Sequence, residues 1–237
     1  MFTYPIMTRA RSTLLNGLLC WLECEETSGN NRVDSHTSGI EFVEQPTAIA
    51  RTATTQPGVG YGIDFSANNT LLMQSGDAQL DSVIGADFTI GAHIWLVNAS
   101  NDGIFGKNVG VGGESAIYLY MTGASGIDFY VQNDGNTDNA ICSTTHGAPA
   151  VYSVVCTWNQ STKTAALIID DGTPITDTVT GTVGTDTGTK DFAIGSYNPT
   201  PNSNSTLSSV YNFAIWDRVL TAAEITEFDT PASYVAL

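Results

Sequence analysis

The stretch that decides the fold is SSVYNFAIWDRVLTAAEITEF, residues 208–228. Its first part, Val210-Tyr211-Asn212-Phe213-Ala214-Ile215-Trp216, is dense in β-branched and aromatic residues and reads as a strand. Period two puts Phe213 and Ile215 on one face and Trp216 on the other. Asp217-Arg218 breaks the alternation, and Leu220 precedes Thr221-Ala222-Ala223-Glu224. That tetrad has the spacing of a capping box. The Thr221 hydroxyl accepts from the Glu224 N–H, and the Glu224 carboxylate reaches back to the Thr221 N–H. Leu220 and Ile225 stand at the staple positions beside it. The expectation is a strand running straight into one short helix that ends before Pro231.

The rest of the chain is punctuated in the same manner. In Gly17 to Glu25, Leu18, Cys20, Leu22 and Cys24 alternate with Leu19, Trp21, Glu23 and Glu25, and the turn Thr27-Ser28-Gly29-Asn30 follows. Gln45 to Pro57 reads as a long polar connection. Gly58 to Phe65 is a glycine-spaced strand with Asn68 to Gln74 as its hairpin mate. Asp87 to Val97 sets Phe88, Ile90, Ala92, Ile94 and Leu96 against Thr89, Gly91, His93 and Trp95. Strands are expected at 103–107, 116–121 and 126–132, with a hairpin from 140–144 to 151–158. A further strand at 165–170 turns at Asp171-Gly172, a strong hairpin signal. Strands at 173–180 and 191–195 precede the closing one. About a dozen short strands with regular turn signals and one capped helix make an all-β sandwich.

Several of these pieces resemble the laminin-G-like, concanavalin A-like lectin/glucanase domains. The closing strand, Asp-Arg pair, leucine and capped Ala-Ala-Glu-Ile turn resemble the end of that family. Trp21, Glu25, Glu26, Ser28, Gly29, Asp34, Ser38 and Gly39 fill the pattern of its opening, with His36-Thr37 departing from it. Gly58 to Phe65, Asp87-Phe88-Thr89-Ile90 and the Asp171-Gly172 turn match its interior strands. The resemblance covers about residues 17–228. It implies a concanavalin A-like jelly-roll sandwich of two antiparallel sheets with one short C-terminal helix. Fold does not fix function here, because such sandwiches serve lectins, hydrolases and structural modules.

Composition narrows the function classes. Eight Lys and Arg against 24 Asp and Glu give the 237-residue chain a formal charge of −16. A field of that sign repels nucleic acid and anionic membrane, so neither is an expected partner. No segment approaches the roughly 20 apolar residues that cross a bilayer. Met1 to Glu26 does not read as a signal peptide, because Asn16-Gly17 interrupts the apolar run and no small-x-small cleavage site follows. Synthesis and folding in a cytoplasm are therefore expected. Cys20 and Cys24 in one strand lie roughly 13 Å apart at ~3.3 Å per residue, too far for a shared bridge. Cys142 and Cys156 could face each other across the expected hairpin; buried free thiols are the expectation for all four.

Residues 1–16 lack strand alternation and read as an N-terminal arm, in which Thr8 to Leu15 could form one helical turn or two before Asn16-Gly17 stops it, with the domain proper at 17–237. Arg9 and Arg11 give the arm a positive charge, and Phe2 and Tyr4 supply apolar anchors for a partner or a second copy. Removing residues 1–14 is expected to leave the sandwich folded.

Chemistry is sparse. Glycoside hydrolysis needs two carboxylates about 5–5.5 Å apart for retention. The Glu-x-Asp-x-x-Glu string of enzymes resembling this fold is missing, and Glu23 with Glu25 beside Trp21 is the nearest substitute. No nucleophile elbow, phosphate loop or HExxH string occurs. His36, His93 and His146 are scattered, and His93 is expected to be a half-buried structural ring. The resemblance implies a calcium site at Asp34, with Glu25 and Glu26 as neighbours; such a site needs about six converging oxygens. For a glycan ligand the available rings are Tyr118, Tyr120, Tyr130 and Tyr197, with Phe129 and Tyr211 beside them, about half of which belong in the core. The expectation is a non-enzymatic structural or binding module. With its arm it looks like a phage-encoded virion-surface protein, a capsid decoration or tail-associated subunit. Its partners would be capsid or tail proteins, copies of itself, or cell-surface glycans. The alternative is a carbohydrate-binding module of an extracellular protein.

Overall fold

Alternation of large apolar residues with small or polar ones makes strands of most of this chain, and their register sorts them into two layers. The computed structural model describes residues 13–24, 32–33, 40–45, 51–53, 61–65, 71–74, 80, 83, 85–96, 103–107, 116–123, 125–135, 137–147, 149–183, 192–196 and 209–230. Among them the strands are β1 (Leu18–Leu22), β2 (Arg32–Val33), β3 (Glu41–Gln45), β4 (Arg51–Ala53), β5 (Tyr61–Asp64) and β6 (Leu71–Gln74). The middle of the chain adds β7 (Phe88–Leu96), β8 (Gly103–Lys107), β9 (Ala116–Thr122), β10 (Gly126–Gln132) and β11 (Asn139–Thr145). The remainder are β12 (Ala150–Asn159), β13 (Thr164–Ile169), β14 (Ile175–Thr178), β15 (Ala193–Ile194) and β16 (Ser209–Trp216). A 3-10 turn at Thr13–Leu15 and the helix α1 (Ala222–Asp229) complete the elements.

One sheet runs β14-β13-β12-β7-β16-β5-β4, with β1 also paired to β16; the other runs β11-β10-β9-β8-β15-β6-β3-β2. The described pairings are antiparallel, so the chain is the all-β sandwich that its turn spacing implies, of the jelly-roll kind that the resemblance implies. Phe88, Ile90, Ala92, Ile94 and Leu96 of β7 and Phe213 and Ile215 of β16 face Phe105, Leu119, Phe129 and Val131 across the interior. Phe213 is the hub of that interior, with Phe42, Phe105 and Phe192 at ring distances of 6.5, 5.8 and 5.8 Å.

A second apolar cluster lies on the outer side of the first sheet. Trp216 points there, opposite Phe213 and Ile215 as period two requires, and meets Trp21 and Phe228 edge-on at 6.5 and 5.6 Å. The space exists because Gly91 of β7 has no side chain. A Cβ there would stand 2.8 Å from the Phe228 ring. His93, next along β7, lies under the same ring at 4.6 Å. It is buried rather than half-buried, and desolvation pulls its pKa down to about 3.

The capping box forms as its spacing predicts. Thr221 Oγ1 accepts from the Glu224 N–H at 3.4 Å, and Glu224 Oε2 accepts from the Thr221 N–H at 2.9 Å. Leu220 and Ile225 both join the outer cluster, as the staple requires. Arg218 ties this end together. It clamps Glu224 with two 2.8 Å bonds and donates to the carbonyls of Asn16 at 2.6 Å and Thr13 at 3.0 Å. Trp216 Nε1 donates to the Leu14 carbonyl at 2.6 Å, and Leu14 itself is fully buried.

These contacts correct the expected arm over residues 1–16. Thr13 to Asn16 belong to the domain, because Leu14 fills the outer cluster and three of the segment's carbonyls are acceptors for β16 and its turn. Residues 5–12, like the rest of the arm, lie outside the described residues. Other departures come from sandwich topology. The expected hairpins at 58–65/68–74 and 140–144/151–158 do not form. β5 and β12 lie in one sheet and β6 and β11 in the other, so the two strands of each expected pair belong to opposite sheets. Cys142 and Cys156 thus face the interior from opposite sheets, and all four cysteines are buried free thiols. The stretch 45–57 holds β4, and β3 precedes it. The expected Asp171-Gly172 turn is centred one residue earlier: Asp170 and Asp171 both have φ +50°, and the Gly172 N–H donates to the Ile169 carbonyl at 2.9 Å. That is the φ pattern of a hairpin turn, which aspartate tolerates. A register shift between Leu18 and Cys20 sends Leu18 to the outer cluster with Trp21 and Leu19 toward the core.

Two expected outcomes follow from the Arg218 junction. Its guanidinium, against an opposing burial effect, draws the Glu224 carboxyl down to about 2 from its ordinary 4.5. The folded value is depressed, so this stabilisation is complete above about 4.5 and is lost as pH falls toward 2. Arg218→Ala should cost about 2–3 kcal/mol in urea unfolding at neutral pH, since bonds to charged groups contribute roughly 1.5–3 kcal/mol. The deficit should narrow on acidification through that window, and a deficit independent of pH would contradict the account. A chain beginning at residue 17 should be less stable than one beginning at residue 13 by at least about 1.5 kcal/mol, the lower value for burying a leucine side chain. Equal melting curves for the two would show that the 3-10 turn is ornamental.

Candidate functional site

The sequences AIYLYMT of β9 and GIDFYVQ of β10 alternate strictly, and their exposure alternates with them. Ile117, Leu119, Met121, Ile127, Phe129 and Val131 enter the core, while Tyr118, Tyr120, Asp128, Tyr130 and Gln132 are half-buried on the outer side. The turn between the strands is three residues long, with Gly123 at φ +60°, and it pairs Thr122 with Gly126. That register sets Tyr118 opposite Tyr130 and Tyr120 opposite Asp128. β11 continues the face with Ile141 opposite Tyr130 and Ser143 opposite Asp128.

Three of the four tyrosines expected to bind ligand therefore meet in one cluster. Tyr118 and Tyr130 stack at 4.8 Å with ring planes 9° apart, and Tyr120 lies 5.7 and 5.4 Å from them. Tyr120 donates its hydroxyl to that of Tyr130 at 3.4 Å. Burial, then that hydrogen bond, then the charges of Tyr130 and Asp128, push the Tyr120 phenol above its ordinary range, so it stays protonated. Cross-strand aromatic pairs of this kind help to hold the two strands in register. Phe129 is wholly in the core, and Tyr211 is buried on the other sheet, where it lies over Gly62.

Asp34, Glu25, Glu26 and Tyr197 lie outside the described residues, as do Phe2, Tyr4, Arg9 and Arg11. Among the described residues no group of three His, Cys, Asp or Glu side chains is placed to hold a metal. Glu23 is exposed just beyond β1, whereas Trp21 is buried under the helix, so the two do not line one groove. Asp128, Ile141 and Ser143 were not singled out from sequence. The three-residue loop between two recognised strands was the signal, because it fixes which residues stand opposite one another.

This face belongs to the second sheet, whereas α1 packs on the outer side of the first. Asp177 of β14 caps the edge of β11 beside it by accepting from the Ile141 N–H at 2.8 Å. Comparison with solved structures gives the same architecture. The chain superposes on domain 4 of AbnA, an extracellular arabinanase of Geobacillus stearothermophilus solved with arabinotriose. That match has TM-score 0.65 and 12% identity, and covers 90% of this chain and 98% of that one. It also superposes on the binding domain of Paraclostridial Mosquitocidal Protein 1 (TM-score 0.63, 15% identity, 90% and 52% of the two chains). A third match is the binding domain of Botulinum Neurotoxin DC in complex with SialylT (TM-score 0.61, 12% identity, 90% and 51%). The chain spans about half the length of those toxin domains. It matches no curated protein in sequence. A laminin-G-type profile described as "Concanavalin A-like lectin/glucanases superfamily" matches residues 65–226, from the end of β5 into α1. With that match and the sandwich beneath it, the chain belongs to the concanavalin A-like lectin/glucanases superfamily.

Proposed function

We propose that this protein is a non-enzymatic glycan-binding module whose ligand lies on the tyrosine face of β9, β10 and β11. The observation that carries the reading is the gathering of Tyr118, Tyr120 and Tyr130 within 5.7 Å on an outer sheet surface. An aromatic ring offers a sugar an apolar platform and, in tyrosine, a hydroxyl for its polar rim. Asp128 and Ser143 add an acceptor and a second hydroxyl directly across the strands. The arabinotriose-bound arabinanase domain, which matches over nearly its whole length, supports the reading. Catalysis is not part of it. Glycoside hydrolysis needs a facing pair of carboxylates, and among the described residues of β9, β10 and β11 this face carries Asp128 alone.

The setting expected from the sequence, display on a phage particle, remains a proposal beside this one, and its test is co-purification with particles. Its local support was the arm, whose residues 1–12 are not described.

Tyr118→Ala and Tyr130→Ala should each weaken glycan binding by about tenfold, the equivalent of 1.4 kcal/mol. Stability should fall by no more than about 1 kcal/mol, because cross-strand pairs contribute roughly 0.2–1 kcal/mol. Calorimetric titration on folded variants, with melting curves alongside, measures both. Binding that survives the double variant would place the ligand elsewhere. Incubation with arabinan, laminarin and related glucans should release no reducing ends, and measurable turnover would refute the non-enzymatic reading.

A further inference from the structure

Resting on the binding reading above, we infer that the sugar seats over β10 and β11, where Asp128 selects for two adjacent hydroxyl groups. The seat is a square of four side chains. Tyr130 stands opposite Ile141, and Asp128 opposite Ser143. Two steps along the strand separate the pairs, roughly 7 Å at ~3.4 Å per residue. The Ile141 N–H turns away from β10 and donates to the Asp177 carboxylate at 2.8 Å. Tyr130–Ile141 is therefore a non-hydrogen-bonded pair, and so is Asp128–Ser143 two residues along. Side chains of such pairs approach more closely than those of the alternate kind, with Cα atoms about 4.5 Å apart. An apolar pair and a polar pair thus lie side by side, as the apolar face and the hydroxyl edge of a sugar do.

Each corner of the square has something to offer a sugar. Among the described residues Ile141 is the one large hydrophobic side chain left exposed, at 36%. A single exposed isoleucine is ordinary, but this one extends the apolar floor begun by Tyr130. The Tyr130 hydroxyl accepts from Tyr120 at 3.4 Å and keeps its own proton for a ligand oxygen. Asp128 is half-buried and Ser143 exposed, and neither side chain has a hydrogen-bond or ion-pair partner among the described residues. A carboxylate has two acceptor oxygens, and its charge-assisted bonds are roughly twice as strong as neutral ones. Hydroxyls on neighbouring sugar carbons bring two donors close enough for one carboxylate to take both. A site that relies on such bonds discriminates against a sugar lacking either hydroxyl, because the carboxylate then loses a donor in a partly desolvated place.

The test is calorimetric titration of the full chain with arabinotriose, lactose and laminaribiose, then with monodeoxy forms of whichever binds. Two adjacent deoxy positions should each weaken binding at least about tenfold. Neither should cost anything further in Asp128→Ala, where the acceptor is already gone. Asp128→Asn, which keeps the volume, should also weaken the parent sugar, and melting curves check that each variant is folded. Ile141→Ser should weaken every form several-fold without changing which hydroxyls matter. Deoxy losses of equal size in the parent chain and in Asp128→Ala would overturn the role of Asp128. Binding that survives Asp128→Ala and Ile141→Ser but is lost in Tyr118→Ala would seat the sugar elsewhere on the face and leave the binding reading standing. Binding abolished by a chelator would give the carboxylate to a cation, which overturns the hydroxyl pair in the same way. Failure of all three sugars to bind, or binding indifferent to the Tyr118→Ala/Tyr130→Ala double variant, removes both.

Discussion

The guanidinium of Arg218 is the constraint on which this sandwich closes. A partly buried cation is tolerable only when nearly all its donors are satisfied, and here each partner comes from a different piece of the domain. Nε serves the carbonyl of Asn16, Nη1 the Glu224 carboxylate, and Nη2 both Glu224 and the carbonyl of Thr13. The planar fork makes this possible where a lysine's point charge would not. Around it, Thr89 Oγ1 donates to the Arg218 carbonyl and accepts from the Leu220 N–H, which pins the turn to the start of β7. Gly17, at φ +69°, passes so close that a Cβ would collide with Asp217. The helix is thereby held at one angle over Gly91, and Phe228 seals the cluster around Trp21 and Trp216.

That closure divides the labour of the two sheets. One outer side is used for packing, and the other can present aromatic rings. The free edges near those rings are also managed. Asp177 takes the Ile141 N–H, and Asp138 takes the N–H and hydroxyl of Thr180 at 2.7 and 2.5 Å. Asn133 donates to the Thr180 carbonyl, and the Asp134 N–H donates to Thr182. Strand β11 and the segment after β14, from opposite sheets, are laced side to side. An edge whose donors are already occupied offers little to an incoming strand. The tyrosine cluster therefore sits on a stiffened corner, and its rings are pre-ordered before any ligand arrives.

The sequence was most legible where local rules and tertiary demands agree. The capping box, the staple, the alternation of β7 and the existence of strands β9 and β10 could be read directly because each is decided within a dozen residues. The connections 66–70 and 146–149 misled, since a Ser/Asn run or a Gly and Pro pair looks the same whether it joins strands of one sheet or of two. The bulge after Leu18 was hidden for a related reason: Leu18-Leu19-Cys20 offers apolar residues to both faces, so parity alone could not fix it. A helical turn ending at Asn16-Gly17 could be read, but not its docking into the domain, because only Leu14 carries the packing signal. For the site, the tyrosines were visible as residues, but their meeting depended on register. Asp128, which gives the face its charge, looked in isolation like one more solvated acid.

The Arg218 knot has one more geometric consequence. It gathers residue 13 and the end of α1 onto the same outer flank of the molecule. The tyrosines project from the opposite flank, with the whole thickness of the sandwich between. Any segment joined before residue 13 or after residue 230 starts from the back of the domain. A tether at either end would hold the module with its ring-bearing front turned outward, and neither tether begins beside the rings.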